Sequence, residues 1–193
     1  LDTTQGVVVL DPYQDGSVPG LSPLRLSADL VLCSHGHRDH GARETVTLTG
    51  RPFSLQVEEL PTFHDPEGGA LRGPNTIHII SAEGLRVAHL GDLGCDLTPE
   101  QADKLAGLDA LMIPVGGYYT IDAQQARAVA QALKPRVVIP MHYRSPAFGY
   151  DVIGPLEDYL ALCGGENVVR YPGSALELTK DTPAQTAVLT YQP

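Results

Sequence analysis

A short apolar run, Leu30 to Cys33, leads directly into Ser34-His35-Gly36-His37-Arg38-Asp39-His40-Gly41. Imidazole and carboxylate are the side chains that hold zinc-like cations near neutral pH, and His35, His37, Asp39 and His40 supply four of them within six residues. In an extended loop, positions two apart point the same way, so His35 and His37 can grip one ion. If the chain turns helical at Asp39, that carboxylate and His40 face elsewhere, toward a second ion. A His-x-His pair alone more often marks a solvated polar turn. Four ligand-type residues behind a buried strand, with Gly36 and Gly41 giving the loop close turns, favour metal binding instead.

A chain of 193 residues suits one domain spanning 1–193. Hydrophobic residues make up 42% and charged residues 19%, and no tract approaches the roughly 18 apolar residues of a membrane span. The formal net charge of -10 repels a phosphate backbone, which disfavours nucleic acid as a partner. A small-molecule substrate is the expected partner, and self-association into a homo-oligomer is left open. Cys33, Cys95 and Cys163 are widely spaced and odd in number, which argues against a disulfide framework and for a reducing cytoplasm. The opening residues LDTTQGVVVLDPY carry no secretory signal.

Val7 to Leu10 reads as a strand ended by the turn Asp11-Pro12, followed by loop chemistry to about Pro23. Leu30 to Cys33 is the next strand. Thr45 to Thr49 and Phe53 to Leu60 alternate apolar with polar residues around Gly50-Arg51-Pro52, which predicts a hairpin. Ile77 to Ile80 and Leu85 to Leu90 predict a second hairpin. Thr98-Pro99-Glu100-Gln101 reads as a capping box opening a helix to about Leu105. Ala110 to Val115 and Val137 to Met141 predict strands on either side of a helix over Asp122 to Leu133, which Pro135 stops. A helix over Leu156 to Leu162 and closing strands at Ala175 to Thr179 and Ala187 to Tyr191 complete the reading. Hairpins followed by strand-helix alternation predict an α/β fold of two mixed sheets covered by helices, a four-layer αββα sandwich.

Three more ligand candidates also follow strands: His64 in Thr62-Phe63-His64-Asp65, Asp92 in Gly91-Asp92-Leu93-Gly94, and His142 after Val138-Ile139-Pro140-Met141. Each alone reads as a surface, turn or core residue. Their order behind the His-x-His-x-Asp-His loop gives them weight.

With SHGHRDHGA, FHD, HLGDLG and PMHY in that order, the chain resembles the metallo-β-lactamase superfamily over nearly its whole length. The resemblance implies a sandwich with a dinuclear site between its sheets. His35, His37 and His64 would bind one ion, Asp39, His40 and His142 the other, and Asp92 would bridge them. Two divalent ions are implied, with zinc favoured and Mn, Fe or Ni also accommodated. Flavodiiron members have Glu where this chain has His37, which favours zinc over iron. The wording is closest to small bacterial hydrolases related to L-ascorbate-6-phosphate lactonase and, more distantly, to the phospholipase D that cleaves N-acyl phosphatidylethanolamines. Asp92 stands where one class of zinc β-lactamases places a cysteine, which disfavours antibiotic hydrolysis.

The same resemblance predicts a strand before Val7 to Leu10, and hence roughly twenty further residues upstream by usual strand and turn lengths. His78 and His89 match no ligand motif and read as structural. Asp11 is a candidate to orient a ligating histidine or simply a turn residue before Pro12, Tyr118 and Tyr119 read as helix-entry packing residues with the pocket within reach of a phenol, and Cys33 reads as a core residue. The expected activity is metal-dependent hydrolysis of a lactone, ester or phosphodiester, with Asp39 orienting the nucleophile as well as serving as ligand. A metal-binding protein or sensor without catalysis on the same fold is the alternative.

Overall fold

The computed structural model describes residues 1–165 and 167–192. Strands β1 (Asp2–Thr3), β2 (Gly6–Leu10) and β4 (Leu30–Leu32) form a small sheet in that order, with β1 antiparallel and β4 parallel to β2. Between β2 and β4 in sequence, β3 (Leu26–Ala28) pairs in parallel with β5 (Val46–Leu48), and this ribbon packs Ala28 and Val46 against Val31, Val7 and Val9.

The larger sheet opens as an antiparallel meander of β6 (Gln56–Phe63), β7 (Pro74–Ala82) and β8 (Leu85–His89). From β8 onward the pairing is parallel, through β9 (Ala110–Pro114), β10 (Val137–Met141), β12 (Gln185–Val188) and β11 (Val168–Arg170). Side chains alternate faces along a strand, so β7 sends Ile77 and Ile79 to one side and Ile80 to the other. Ile80 meets Val8, Leu32 and Leu55 between the two sheets. Ile77 and Ile79 join Ala88, Leu90, Leu111 and Ile113 under the helices.

All three α-helices lie on that second face. Helix α1 (Pro99–Lys104) begins with the expected capping box, Thr98 Oγ1 accepting from the Gln101 amide and Gln101 Oε1 from the Thr98 amide. Helix α2 (Ala123–Leu133) repeats the device with Asp122 and Gln125, buries Ala126, Ala130 and Leu133 at helical spacing, and ends on Lys134 in the left-handed conformation. Each cap is worth about 1 kcal/mol, and truncating Leu133 to alanine would cost about 2–5 kcal/mol. Helix α3 (Leu156–Leu162) adds Tyr159 to the same core. The α/β sandwich of mixed sheets is therefore present. On the side of the small sheet, its helical layer among the described residues is one 3-10 turn, Arg43–Thr45.

Several local expectations differ from the structure. Thr45 to Thr49 and Phe53 to Leu60 do not form a hairpin, because β5 pairs with β3 and β6 with β7. Alternation identifies a strand with one wet face but carries no information on its partner. Ala175 to Thr179 forms no strand, although its Leu176 and Leu178 still pack on Val87, Ala110 and Val137. The closing strand is Gln185–Val188 rather than Ala187 to Tyr191, and both β11 and β1 are short strands that periodicity does not reveal. No helix of the described residues is long and apolar enough to cross a membrane.

Candidate metal centre

Strands β6, β8 and β10 run in one direction, so their C-terminal ends share one edge of the large sheet. His64 directly follows β6, Asp92 lies three residues beyond β8, and His142 directly follows β10. From the opposing small sheet, the loop after β4 delivers His35, His37, Asp39 and His40 to the same place. Three groups of ligand atoms lie within 4.8 Å of one another: His35 with His37 and His64, His35 with Asp39 and His40, and His40 with Asp92 and His142. All seven residues singled out in the sequence therefore converge.

Asp92 stands at the centre. Its Oδ2 is 3.2 Å from His64 Nε2, 3.5 Å from His142 Nε2 and 3.8 Å from His35 Nε2, and its Oδ1 is 3.3 Å from His40 Nε2. One carboxylate thus faces four imidazoles from three segments of chain. Asp39 Oδ2 lies 3.9 Å from His40 Nε2.

A set of buried polar contacts fixes this arrangement. Asn75 on β7 accepts a hydrogen bond from the Asp92 amide at 2.9 Å and donates to the Leu90 carbonyl and the Thr62 hydroxyl. Gly91 carries φ +56, and a Cβ there would lie 2.3 Å from Ser34 Cβ, so only glycine lets the Asp92 turn close on the ligand loop. His142 is itself left-handed, at φ +52. Behind it, a Cβ on Gly116 would lie 2.2 Å from the His142 carbonyl oxygen.

Asp11 makes the second tier of contacts. Its Oδ2 is 2.9 Å from His40 Nδ1, and its two oxygens accept from the amide and hydroxyl of Ser34 at 2.6 Å each. Ser34 Oγ in turn lies 2.9 Å from His35 Nδ1. The aspartate that reads in sequence as a turn residue or a ligand orienter takes a left-handed φ of +47 and contacts the ring of the candidate ligand His40. Ser34 and Asn75 were not expected. Ser34 abuts the ligand loop and so was open to suspicion, whereas nothing near Asn75 in sequence marks it.

Burial opposes every charge in this cluster, and the pairings decide the outcome. Asp11 is desolvated yet held at about 2 by the His40 hydrogen bond and the charges of His89 and His40. Asp92 is likewise pushed up by burial and pulled well below the carboxylate range by His142, His40 and His64. Burial and the neighbouring His40 hold His35 down at about 4. Burial also lowers His142. His40 goes the other way, to about 9, because Asp92, Asp11 and Asp39 outweigh its burial. His35 and His142 are therefore held as neutral bases beside ionised carboxylates, the protonation that cation binding requires. Two of the inward atoms, His35 Nε2 and Asp92 Oδ1, are buried without a hydrogen bond. A buried acceptor of that kind is costly unless something positive meets it, so the donor set fits divalent cations.

Beside the ligands opens a cavity of about 340 Å³ lined by Ser17, Gly36, His37, Arg38, Asp39 and Tyr150. The Tyr150 hydroxyl donates to the Ser17 carbonyl at 2.7 Å and stands 3.4 Å from Asp39 Oδ2. Tyr119 reaches this wall indirectly, its ring 6.0 Å from that of Tyr150, while Tyr118 is mostly exposed. Tyr150 lies in a loop that no local sequence signal marks. His78 and His89 belong to none of the three groups: His89 Nδ1 accepts from the Gly91 amide, and His78 faces Glu59 at 3.6 Å. Cys33 packs with the small-sheet core, as expected.

Comparison with known proteins agrees with this geometry. A UPF0173 metal-dependent hydrolase from Thermococcus onnurineus is 26% identical, over 89% of this chain and 92% of its own. Another from Methanoregula boonei is 29% identical, over 72% of this chain and 75% of its own. Among solved structures, a Thermotoga maritima protein described as a candidate Zn-dependent hydrolase of the metallo-β-lactamase superfamily superposes with a TM-score of 0.71 at 28% identity, covering 98% of this chain and 93% of that one. The sequence model of the Beta-lactamase superfamily domain matches residues 1–142. With its match spanning most of the chain and its histidines and aspartates gathered at one sheet edge, the protein belongs to the metallo-β-lactamase superfamily.

Proposed function

We propose that the chain is a metal-dependent hydrolase with a dinuclear site that cleaves a small-molecule lactone, ester or phosphodiester. His35, His37 and His64 would hold one divalent cation, Asp39, His40 and His142 would hold the second, and Asp92 would contribute to both. The observation that carries this reading is the position of the Asp92 carboxylate, within 3.8 Å of His35, His40, His64 and His142 at once. Two divalent cations bound there supply a nucleophilic hydroxide at neutral pH and positive charge for the oxygen on which negative charge develops.

The chain's own residues do the rest. Asp39 is the catalytic carboxylate, whose Oδ2 sits on the cavity wall and accepts a hydrogen bond from the attacking water, orienting it toward the substrate. Asp11 and Ser34 hold the rings of His40 and His35 in the rotamer that points Nε2 inward. The cavity of about 340 Å³ is at the small end of ligand sites, which suits a small molecule. An all-nitrogen-and-oxygen donor set and the description of the Thermotoga maritima relative support zinc. Three free cysteines suit a reducing compartment, and we read residues 1–193 as one cytoplasmic domain.

Elemental analysis after zinc reconstitution, followed by a screen of lactones, p-nitrophenyl esters and bis-p-nitrophenyl phosphate, tests the proposal. Two equivalents of metal and turnover of at least one class are expected. Metal without turnover of any class would assign the chain to binding or sensing instead, and no metal at all would remove the reading altogether.

A further inference from the structure

We propose that Arg38 is the specificity-determining residue of the cavity and that the substrate carries an anionic group, a carboxylate or a phosphate, which the Arg38 guanidinium binds. For the substrate this rests on the hydrolase reading above, whereas the anion site itself can be measured without turnover.

Most of the other arginines among the described residues are engaged by carboxylates or carbonyls. Arg25, Arg51 and Arg136 are engaged by the carboxylates of Asp15, Asp29 and Asp109. Arg43, Arg72 and Arg86 donate to backbone carbonyls. The Arg38 side chain, like that of the exposed Arg144, makes no hydrogen bond and no ion pair among the described residues, but Arg38, unlike Arg144, lines the cavity beside the candidate ligands. Its charge is felt at the Tyr150 hydroxyl across that space.

None of the other lining groups can serve as its partner or replace it. Asp39 is the one carboxylate on the wall, and in the dinuclear reading it is committed to a cation. The Tyr150 proton is spent on the Ser17 carbonyl at 2.7 Å, so this phenol closes the wall and does not add a donor. His37 belongs to the first ligand group. Arg38 is thus the cavity's uncommitted cationic donor, in a chain whose net charge of -10 otherwise repels anions. A guanidinium presents paired donors that match a carboxylate or phosphate in a bidentate fashion, and a lysine at the same place offers only a point charge.

The test compares wild type, Arg38→Ala and Arg38→Lys, each brought to equal metal content with excess zinc. Calorimetric titration with inorganic phosphate and with succinate reads anion affinity. Cations at the centre contribute to both titrations in all three proteins, so the ratio between variants isolates the arginine. Affinity for at least one anion is expected to weaken at least about fivefold in Arg38→Ala and to return in part in Arg38→Lys, as loss of one charge-assisted contact implies. A larger loss for phosphate identifies a phosphate-bearing substrate, and a larger loss for succinate a carboxylate-bearing one. In parallel, the ratio of kcat/KM for p-nitrophenyl hemisuccinate to that for p-nitrophenyl acetate should fall in Arg38→Ala. Anion affinities that match wild type within twofold for both probes overturn the proposal. Loss of anion binding in a protein that turns over no substrate leaves the anion site standing and refutes only the hydrolase reading.

Discussion

Asp11 Oδ2 lies 2.9 Å from His40 Nδ1, on the side of the ring opposite the Nε2 that faces Asp92 Oδ1 at 3.3 Å. One aspartate at the end of β2 therefore orients the ring of a candidate ligand delivered by a different strand. Partners of this kind commonly contribute 10–100-fold to metal affinity. Asp11→Asn keeps the shape and tolerates the left-handed backbone but removes the charge, so it is expected to weaken the second metal site by about 10–100-fold. Competition with a chromophoric chelator checks this, and an unchanged dissociation constant would reduce Asp11 to a turn residue.

The central place of Asp92 gives an ordering among ligand substitutions. Asp92→Asn should weaken both cation sites, because its carboxylate reaches both groups of imidazoles. His142→Ala and Asp39→Ala should leave about one metal per chain, since His35, His37, His64 and Asp92 still offer four donors to the first ion. Turnover is expected to fall by at least about a hundredfold in all three. His78→Ala should retain both metals, because His78 faces Glu59 rather than the centre. Metal stoichiometry on the four proteins side by side decides it, and two tightly held ions in His142→Ala would show that His142 is not a ligand.

Protons and cations compete for His40, which gives a pH dependence of definite sign. Its folded pKa of about 9 is raised above the ordinary 6.5, so in chelator-treated protein its proton contributes stability in full below about pH 6.5. That contribution is lost as pH rises through about 9. Chelated protein should accordingly show a falling Tm across this window, while zinc affinity rises over the same window as the proton leaves. A Tm of the chelated protein that climbs from pH 6.5 to 9 would contradict the Asp11–His40–Asp92 arrangement.

The convergence of the candidate ligands was legible in the sequence because metal chemistry restricts such residues to a few side-chain types, and because His35, His37, Asp39 and His40 crowd one loop. The strand-then-ligand pattern at His64, Asp92 and His142 was legible for the same reason. What supports them was not. Asn75 holds Asp92 across 17 residues of chain, and Tyr150 approaches Asp39 across 111, and such long-range contacts leave no local periodicity. The partner of β5 was missed for a similar reason: alternation records which face of a strand is wet, whereas pairing is decided by packing in three dimensions. Helices α1 and α2 were readable to within a residue, since their capping boxes are local and complete in Thr98 to Gln101 and Asp122 to Gln125.

The turn that carries Asp92 offers a test of how tightly the centre is built. Gly91 sits at φ +56, which costs a residue with a Cβ about 1–3 kcal/mol on backbone grounds alone. An added Cβ would also lie 2.3 Å from Ser34 Cβ and 2.4 Å from Asn75 Oδ1, and neither can retreat, because Ser34 is hydrogen-bonded to Asp11 and Asn75 to the Asp92 amide. Strain and overpacking together predict that Gly91→Ala destabilises the fold by about 2–5 kcal/mol. Because the displaced atoms are those that aim His35 and Asp92, metal affinity should fall as well, even at temperatures where the variant is folded. Gly173→Ala serves as the control: its Cβ would meet nothing nearer than the Gln192 side chain at 3.9 Å, so a change within about 0.5 kcal/mol is expected. Urea unfolding with and without zinc reads both effects. If Gly91→Ala unfolds at the same urea concentration as Gly173→Ala, the turn has room that this geometry denies it, and the close packing of the Asp92 loop on the ligand loop is wrong.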